Sequence, residues 1–385
     1  MSQRPKLRLP VAPRKNIVCQ GDSLTDPAGL VPASVRWTES LQLRLEAAGA
    51  SVAVRNIGQS GARTDDGGTT GGTGKQMLYR FMPFGLDGLH PVIPDVAILW
   101  GGTNDWRSIS SLTSSGSTAT ATVSAHAWST GMLADVLGAT PSGYNVEGVS
   151  ITNGGASTIT FTVPAGMASP ATGTITLRLQ TKRNLRAMVK WVRFGCIGAY
   201  RSQTDLPAAG LPGDRYVVLY DTSSTGGAAA QSQQTATVTG SVASDDPTVW
   251  EYRNGKSGVA GWGRIAKVGT AYDSARGCNR IVIVGNHYLN YSSGGDQLAT
   301  PLAVYDDVTG IRSQQAAAAT AEGVVFANLY DFLKSRIEAG TDTQGDYAWH
   351  YADGNVHLNA YGNNLVAEHL YQTIAAQSGW VSALS

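Results

Sequence analysis

Ser23, His357, Asp353, Gly61 and Asn104 are the residues whose types could together carry out acyl transfer. That chemistry needs a nucleophile, a base for its proton, an orienter for the base, and donors for the oxyanion that develops on the attacked carbonyl. Ser23 can attack, His357 can take its proton, and Asp353 can hold the imidazole. The backbone N–H groups of Ser23 and Gly61 and the side-chain amide of Asn104 can donate to the oxyanion. Taken singly, each has an ordinary reading, since Asp and Ser after a glycine also make turns and helix caps. Their placement on the fold has to decide.

Three of these residues sit just past a predicted strand. A short apolar run from Lys15 stops at Gly21-Asp22-Ser23-Leu24. Ser51–Ile57 leads into Gly58-Gln59-Ser60-Gly61-Ala62, and Asp95–Trp100 leads into Gly101-Gly102-Thr103-Asn104-Asp105. Helical spacing over Ser34–Gly49 separates the first two strands. Further on, helices are expected over 76–82, 181–194, 304–322, 331–337 and 360–377, with strands at 280–285 and 324–330. Alternating strands and helices predict a doubly wound parallel sheet. The three glycine turns then share its C-terminal edge, where open α/β sheets bind ligands. The His357 segment, in a loop before the last helix, can fold over that edge.

Gly21-Asp22-Ser23-Leu24, Gly61 in Asn-Ile-Gly-Gln-Ser-Gly, Gly102-Thr103-Asn104-Asp105, and His357 in Asp-Gly-Asn-Val-His-Leu-Asn resemble the four blocks of the SGNH (GDSL-type) hydrolases, in the same order. The resemblance covers roughly 15–105, 181–200 and 270–380. It implies a flavodoxin-like sheet of SGNH type, with Ser23 as nucleophile, Gly61 and Asn104 completing the oxyanion hole, and His357 as base; the positions of the histidines and cysteines form no metal set, and no cofactor is expected. One departure stands out. The family's acid lies three residues before the histidine, whereas Asp353 lies four before and Gly354 occupies the expected place. Either the loop bulges by one residue, or a dyad or a backbone carbonyl serves instead; Asp346 is a remote substitute. Trp106, His287 and His350 are candidates for the pocket lining. His90, His126 and His369 have no motif partner.

Two stretches break the α/β pattern. From Ser108 to Leu177 there is no Lys or Arg, the only acids are Asp135 and Glu147, and alternating Thr-rich runs predict short strands. A second stretch, 202–262, holds Leu206-Pro207-Ala208-Ala209-Gly210, a strand at Arg215–Tyr220 and a low-complexity patch at 223–239. Both resemble β modules of bacteriophage tail proteins. The expected organisation is a catalytic domain of 1–107, 178–201 and 263–385 with β insertions at 108–177 and 202–262. Between the insertions, 181–194 has the pattern of a basic amphipathic helix, with Leu185, Met188, Val189 and Val192 on one side.

Composition narrows the function classes. The chain has 385 residues, 42% of them hydrophobic, and a net charge of +1. No basic run points to nucleic acid or an anionic membrane, and no apolar run approaches the ~20 residues of a membrane span. Cys19, Cys196 and Cys278 are odd in number and far apart, which fits buried thiols. Residues 1–15 lack an apolar signal core, so synthesis in the cytoplasm is expected, with the module resemblance implying association with a phage tail. The reading is a serine esterase removing short acyl, first of all acetyl, groups from a bacterial surface polysaccharide. A general short-chain carboxylesterase is the runner-up, and a non-catalytic carbohydrate-binding or structural tail module is the rival of another class. Partners expected are the acylated polysaccharide or a small ester, with copies of the chain or other tail proteins as further candidates.

Overall fold

Runs of apolar residues without alternation have to be covered on both faces, and a parallel sheet between helices does that. The computed structural model describes residues 14–26, 31–64, 77, 93–124, 126, 128–220, 246–254, 260–266, 277–287, 310–339 and 357–385. It opens with β1 (Lys15–Gly21), α1 (Trp37–Ala47), β2 (Val52–Asn56) and β3 (Val96–Trp100). Seven strands follow: β4 (Trp106–Ser115), β5 (Thr118–Val123), β6 (Leu133–Leu137), β7 (Val149–Ser150), β8 (Thr152–Gly155), β9 (Thr158–Thr162) and β10 (Thr176–Leu179). After α2 (Thr181–Phe194) come β11 (Gly198–Ser202), β12 (Arg215–Tyr220), β13 (Thr248–Asn254) and β14 (Ala260–Ala266). The chain finishes with β15 (Ile281–Val284), α3 (Ile311–Glu322), β16 (Val325–Ala327), α4 (Leu329–Glu338) and α5 (Ala360–Ala375).

Strands β2, β1, β3, β15 and β16 lie side by side in that order, all parallel. Taken as the first to fifth strands of the sheet, they run 2-1-3-4-5, the doubly wound flavodoxin-like order. Successive side chains point to opposite faces, so each strand feeds two cores. Ala97, Leu99, Ile281 and Ile283 pack with α2 and α3 on one face. Ile17, Cys19, Val96, Ile98, Trp100, Val282 and Val284 pack with α1, α4 and α5 on the other. All three cysteines are free and buried in these layers. The expected helix over 76–82 lies outside the described residues apart from Met77, and 304–309 of the expected 304–322 helix also lie outside them.

The first insertion is a sheet of order β7-β6-β10-β4-β5-β9-β8, and its two end strands are halves of one stretch interrupted at Ile151. The sheet therefore closes on itself around Leu112, Trp128, Val136, Ile159 and Leu177. Its first and last strands pair with each other, Arg178 opposite Trp106, and Leu179 N–H donates to Asp105 O (2.7 Å). The module thus leaves and re-enters the parent fold at a single point, one residue past Asn104.

The second insertion is a four-stranded sheet, β11-β12-β13-β14, running from Gly198 to Ala266 and so past the expected 202–262 bounds on both sides. It packs Val217, Leu219, Val249 and Ile265 onto α2. The expected basic amphipathic helix over 181–194 is α2, with Leu185, Met188, Val189 and Val192 buried, and its polar side is buried as well. Its basic residues meet acids supplied from far along the chain. Arg186 donates to Glu322 (2.8 Å) and to Asp246 (2.5 Å), Lys190 donates to Asp246 (2.5 Å), and Arg193 donates to Glu322 O (2.8 Å). Removing one partner from such a buried set costs about 3–5 kcal/mol, so the cluster acts as a latch between the second sheet, α2 and α3.

Candidate functional site

The site is built from the turns after β1, β2 and β3. Because β1 pairs in parallel with both neighbours, with Cys19 opposite Asn56 and Gly21 opposite Trp100, the three turns emerge side by side at one edge. Direct hydrogen bonds then tie each turn to the next. Gln59 N–H donates to Gly21 O (3.0 Å), and Asn56 Nδ2 donates to Thr25 O (2.7 Å), which locks the second turn to the first. Asn104 Nδ2 donates to Ala62 O (3.0 Å), which locks the third to the second.

Two glycines make this approach possible. A β-carbon on Gly21 would lie 2.0 Å from Thr25 Oγ1 and 2.6 Å from Trp100 O, so no side chain fits where β1 passes β3. Gly61 has φ of +74° in the turn closed by Ala62 N–H to Gln59 O (3.0 Å), a position that favours glycine. Ser23 lies two residues past β1, 6% exposed, in a turn where Thr25 and Asp26 N–H groups both donate to Asp22 O (3.0 Å each). Asn104 and Gly61 are half-buried on the adjoining turns.

Beneath the turns lies a buried polar network that sequence reading missed. The carboxylate of Asp105 accepts from Thr64 N–H (2.9 Å), from the Thr64 hydroxyl, and from Thr181 Oγ1 (2.7 Å). Asn184 Nδ2 in turn donates to Thr64 Oγ1 (3.0 Å). Asp105 thereby joins the Asn104 turn to the segment following Gly61 and to the start of α2. Gln315 of α3 adds a second support, donating to Gly101 O (2.8 Å) and to Asn286 Oδ1 (3.0 Å) while accepting from Asn286 N–H (2.8 Å). The one available signal was a polar side chain interrupting the apolar pattern of each helix.

Of the other expected site residues, His357 is half-buried three residues before α5, whose N-cap is Asn359. His287 is buried just beyond β15 with its ring edge-on to Trp100, centroids 6.2 Å apart. Trp106, half-buried, is the first residue of the insertion stem. Asp353, Asp346 and His350 lie outside the described residues. His126 is buried in the first module, accepting from Trp128 N–H at Nδ1 (2.9 Å), and His369 stacks on Phe332, centroids 4.6 Å apart. Among the described residues no cluster of His, Cys, Asp and Glu has the makings of a metal site, and no helix is long and apolar enough to cross a membrane.

Burial pushes the Asp22 carboxyl up to about 7, with Asp105 nearby adding to the rise and the hydrogen bonds from Leu24 N–H and Thr103 offsetting part of it. A carboxyl raised in the folded state favours folding below its unfolded value near 4, and that contribution is lost as pH rises through 7. Asp22→Asn mimics the protonated form at every pH. Between pH 5 and pH 8 the parent is expected to lose roughly 2 kcal/mol of stability relative to this variant, as read by urea denaturation at both pH values. Equal pH slopes for parent and variant would show that Asp22 is ionised throughout.

The fold and these turns define a doubly wound α/β protein with a polar, glycine-shaped site on the C-terminal edge of its sheet. No protein-family model and no curated protein sequence matches the chain. Among solved structures, it is similar to a lipase/acylhydrolase from Enterococcus faecalis, at 12% identity and a TM-score of 0.39, over 94% of this chain and 96% of that one. A carbohydrate acetylesterase family member from Sinorhizobium meliloti is similar at 13% identity and a TM-score of 0.32, over 94% of this chain and 98% of that one. Likenesses of this strength leave the chemistry to be read from the residues themselves.

Proposed function

We propose that the chain is a serine esterase of SGNH type, working through an acyl-enzyme. The observation that carries this reading is the set of hydrogen-bonded turns that puts Ser23, Gly61 and Asn104 at one sheet edge. In the proposed reaction Ser23 Oγ bonds to the ester carbonyl carbon while its proton passes to His357. The carbonyl oxygen takes up the negative charge and accepts from Ser23 N–H, Gly61 N–H and the Asn104 amide. The carbon–oxygen bond to the alcohol then breaks, and His357 gives its proton to the departing oxygen. In the second half water gives a proton to His357 and its oxygen bonds to the acyl carbon, the bond from that carbon to Ser23 Oγ breaks, and His357 returns the proton to Ser23 as the acid leaves. Asp353 is assigned the role of holding the imidazole.

The substrate class follows from what surrounds the edge. A charge-poor β module rooted one residue past Asn104 can flank a long neutral substrate, as loops on rigid scaffolds commonly do. O-acetyl groups on a bacterial surface polysaccharide fit that setting, and the tail-module resemblance gives such an enzyme a place on a phage virion. Acetate release from native host polysaccharide, with none from the same material after base deacetylation, is the expected result. Hydrolysis of simple esters without release from any polysaccharide would favour the general carboxylesterase.

A further inference from the structure

We infer that Trp37 and Asn363 are positioning residues that hold the His357 segment in register with the Ser23 turn, an inference that rests on the esterase reading. The two segments are 334 positions apart in the chain, and β1 carries only one of them. Buried hydrogen bonds through two side chains span the gap. Trp37 Nε1 donates to Leu24 O (3.0 Å), the carbonyl immediately after Ser23. Trp37 N–H donates to Asn363 Oδ1 (3.2 Å), and Asn363 Nδ2 donates to Leu358 O (2.9 Å), the carbonyl immediately after His357.

Local chemistry explains why these residues were recruited. Trp37 is the first residue of α1, whose N-cap, Arg36, makes no side-chain cap, so its N–H needs an acceptor from outside the helix. Asn363 supplies it from the first turn of α5. Its amide nitrogen also donates to Asn359 O (3.0 Å), so oxygen and nitrogen are both committed. Asn359 caps α5 by accepting from Gly362 N–H (3.0 Å), which fixes the cap two residues after His357 and the helix start three after it. Trp37 is fully buried and Asn363 is 3% exposed, so water offers little competition for these bonds. Leu24, Trp37 and Leu358 share one core, and the Trp37 ring lies against Trp100, centroids 6.0 Å apart. Apolar packing sets the approximate distance between the segments, and the hydrogen bonds set their register.

A misplaced His357 has a recognisable kinetic signature. An alkyl alcohol leaves only with a proton from the base, whereas 4-nitrophenolate leaves without one, so poor positioning penalises alkyl esters more. Loss of folded protein penalises both equally. Trp37→Phe keeps a ring and removes the Nε1 donor; Asn363→Asp keeps an acceptor for Trp37 N–H and removes both donations to the His357 side. Parent and variants are compared on ethyl acetate and 4-nitrophenyl acetate, with active sites counted by burst titration. For either variant that folds, kcat/KM on ethyl acetate is expected to fall about 10-fold further than on 4-nitrophenyl acetate, well inside the ~10²–10⁴ range of general acid–base catalysis. An equal fall on both esters, or none on either, overturns the inference while leaving the esterase reading intact. A parent without Ser23-dependent hydrolysis removes that reading and the inference together.

Discussion

Ser23→Ala is expected to lower hydrolysis of a small acetyl ester by several orders of magnitude, on the order of 10⁴–10⁶ in kcat. The change deletes one oxygen, and the turn that carries it is held by main-chain bonds to Asp22 O and by Leu24 N–H donating to Asp22 Oδ1 (3.0 Å). The variant should therefore fold like the parent, and the loss can be assigned to chemistry. His357→Ala should lose a comparable amount, because nucleophile and base act as one unit and their effects do not add. Initial rates on 4-nitrophenyl acetate, with thermal melts to verify folding, check both. Retention of most activity by Ser23→Ala would remove the nucleophile assignment.

Asn104→Ala should have the next largest effect, about 10²–10³ in kcat with little change in KM, as for loss of one oxyanion donor. A primary amide has two N–H groups, and the one bonded to Ala62 O fixes the side chain's direction. The other is assigned to the oxyanion, which develops fully only in the transition state, so its loss reads in turnover rather than in binding. A change in KM alone would mean that Asn104 merely shapes the pocket.

The parallel sheet was legible because its strands are continuous apolar runs, such as Val96–Trp100 and Ile281–Val284, each ending in a polar turn. The three turns were legible because glycines such as Gly21 and Gly61 stand where close approach or positive φ leaves few other choices. Elements whose meaning depends on distant partners were not legible. α2 carries the pattern of an amphipathic helix, and the acids that meet its buried Arg186 and Lys190, Asp246 and Glu322, arrive from elsewhere in the chain. In the sequence Trp37 is one more apolar position within the helical spacing of 34–49 and Asn363 one polar position within 360–377; nothing local predicts that they bond to each other. Asp105 was visible beside Asn104, but its acceptor role required Thr64 and Thr181 to converge on it.

Whether Ser23 is an activated nucleophile beside oxyanion donors can be read with a fluorophosphonate probe. The reagent forms its phosphonyl adduct on a serine that has both a base and an oxyanion site, and it does so whatever the natural ester is. Intact-mass and peptide mass spectrometry should find one adduct per chain, on Ser23, lost in Ser23→Ala and strongly slowed in His357→Ala. Folded protein that takes up no label, or that is labelled equally without Ser23, would contradict the account and favour a non-catalytic carbohydrate-binding or structural module.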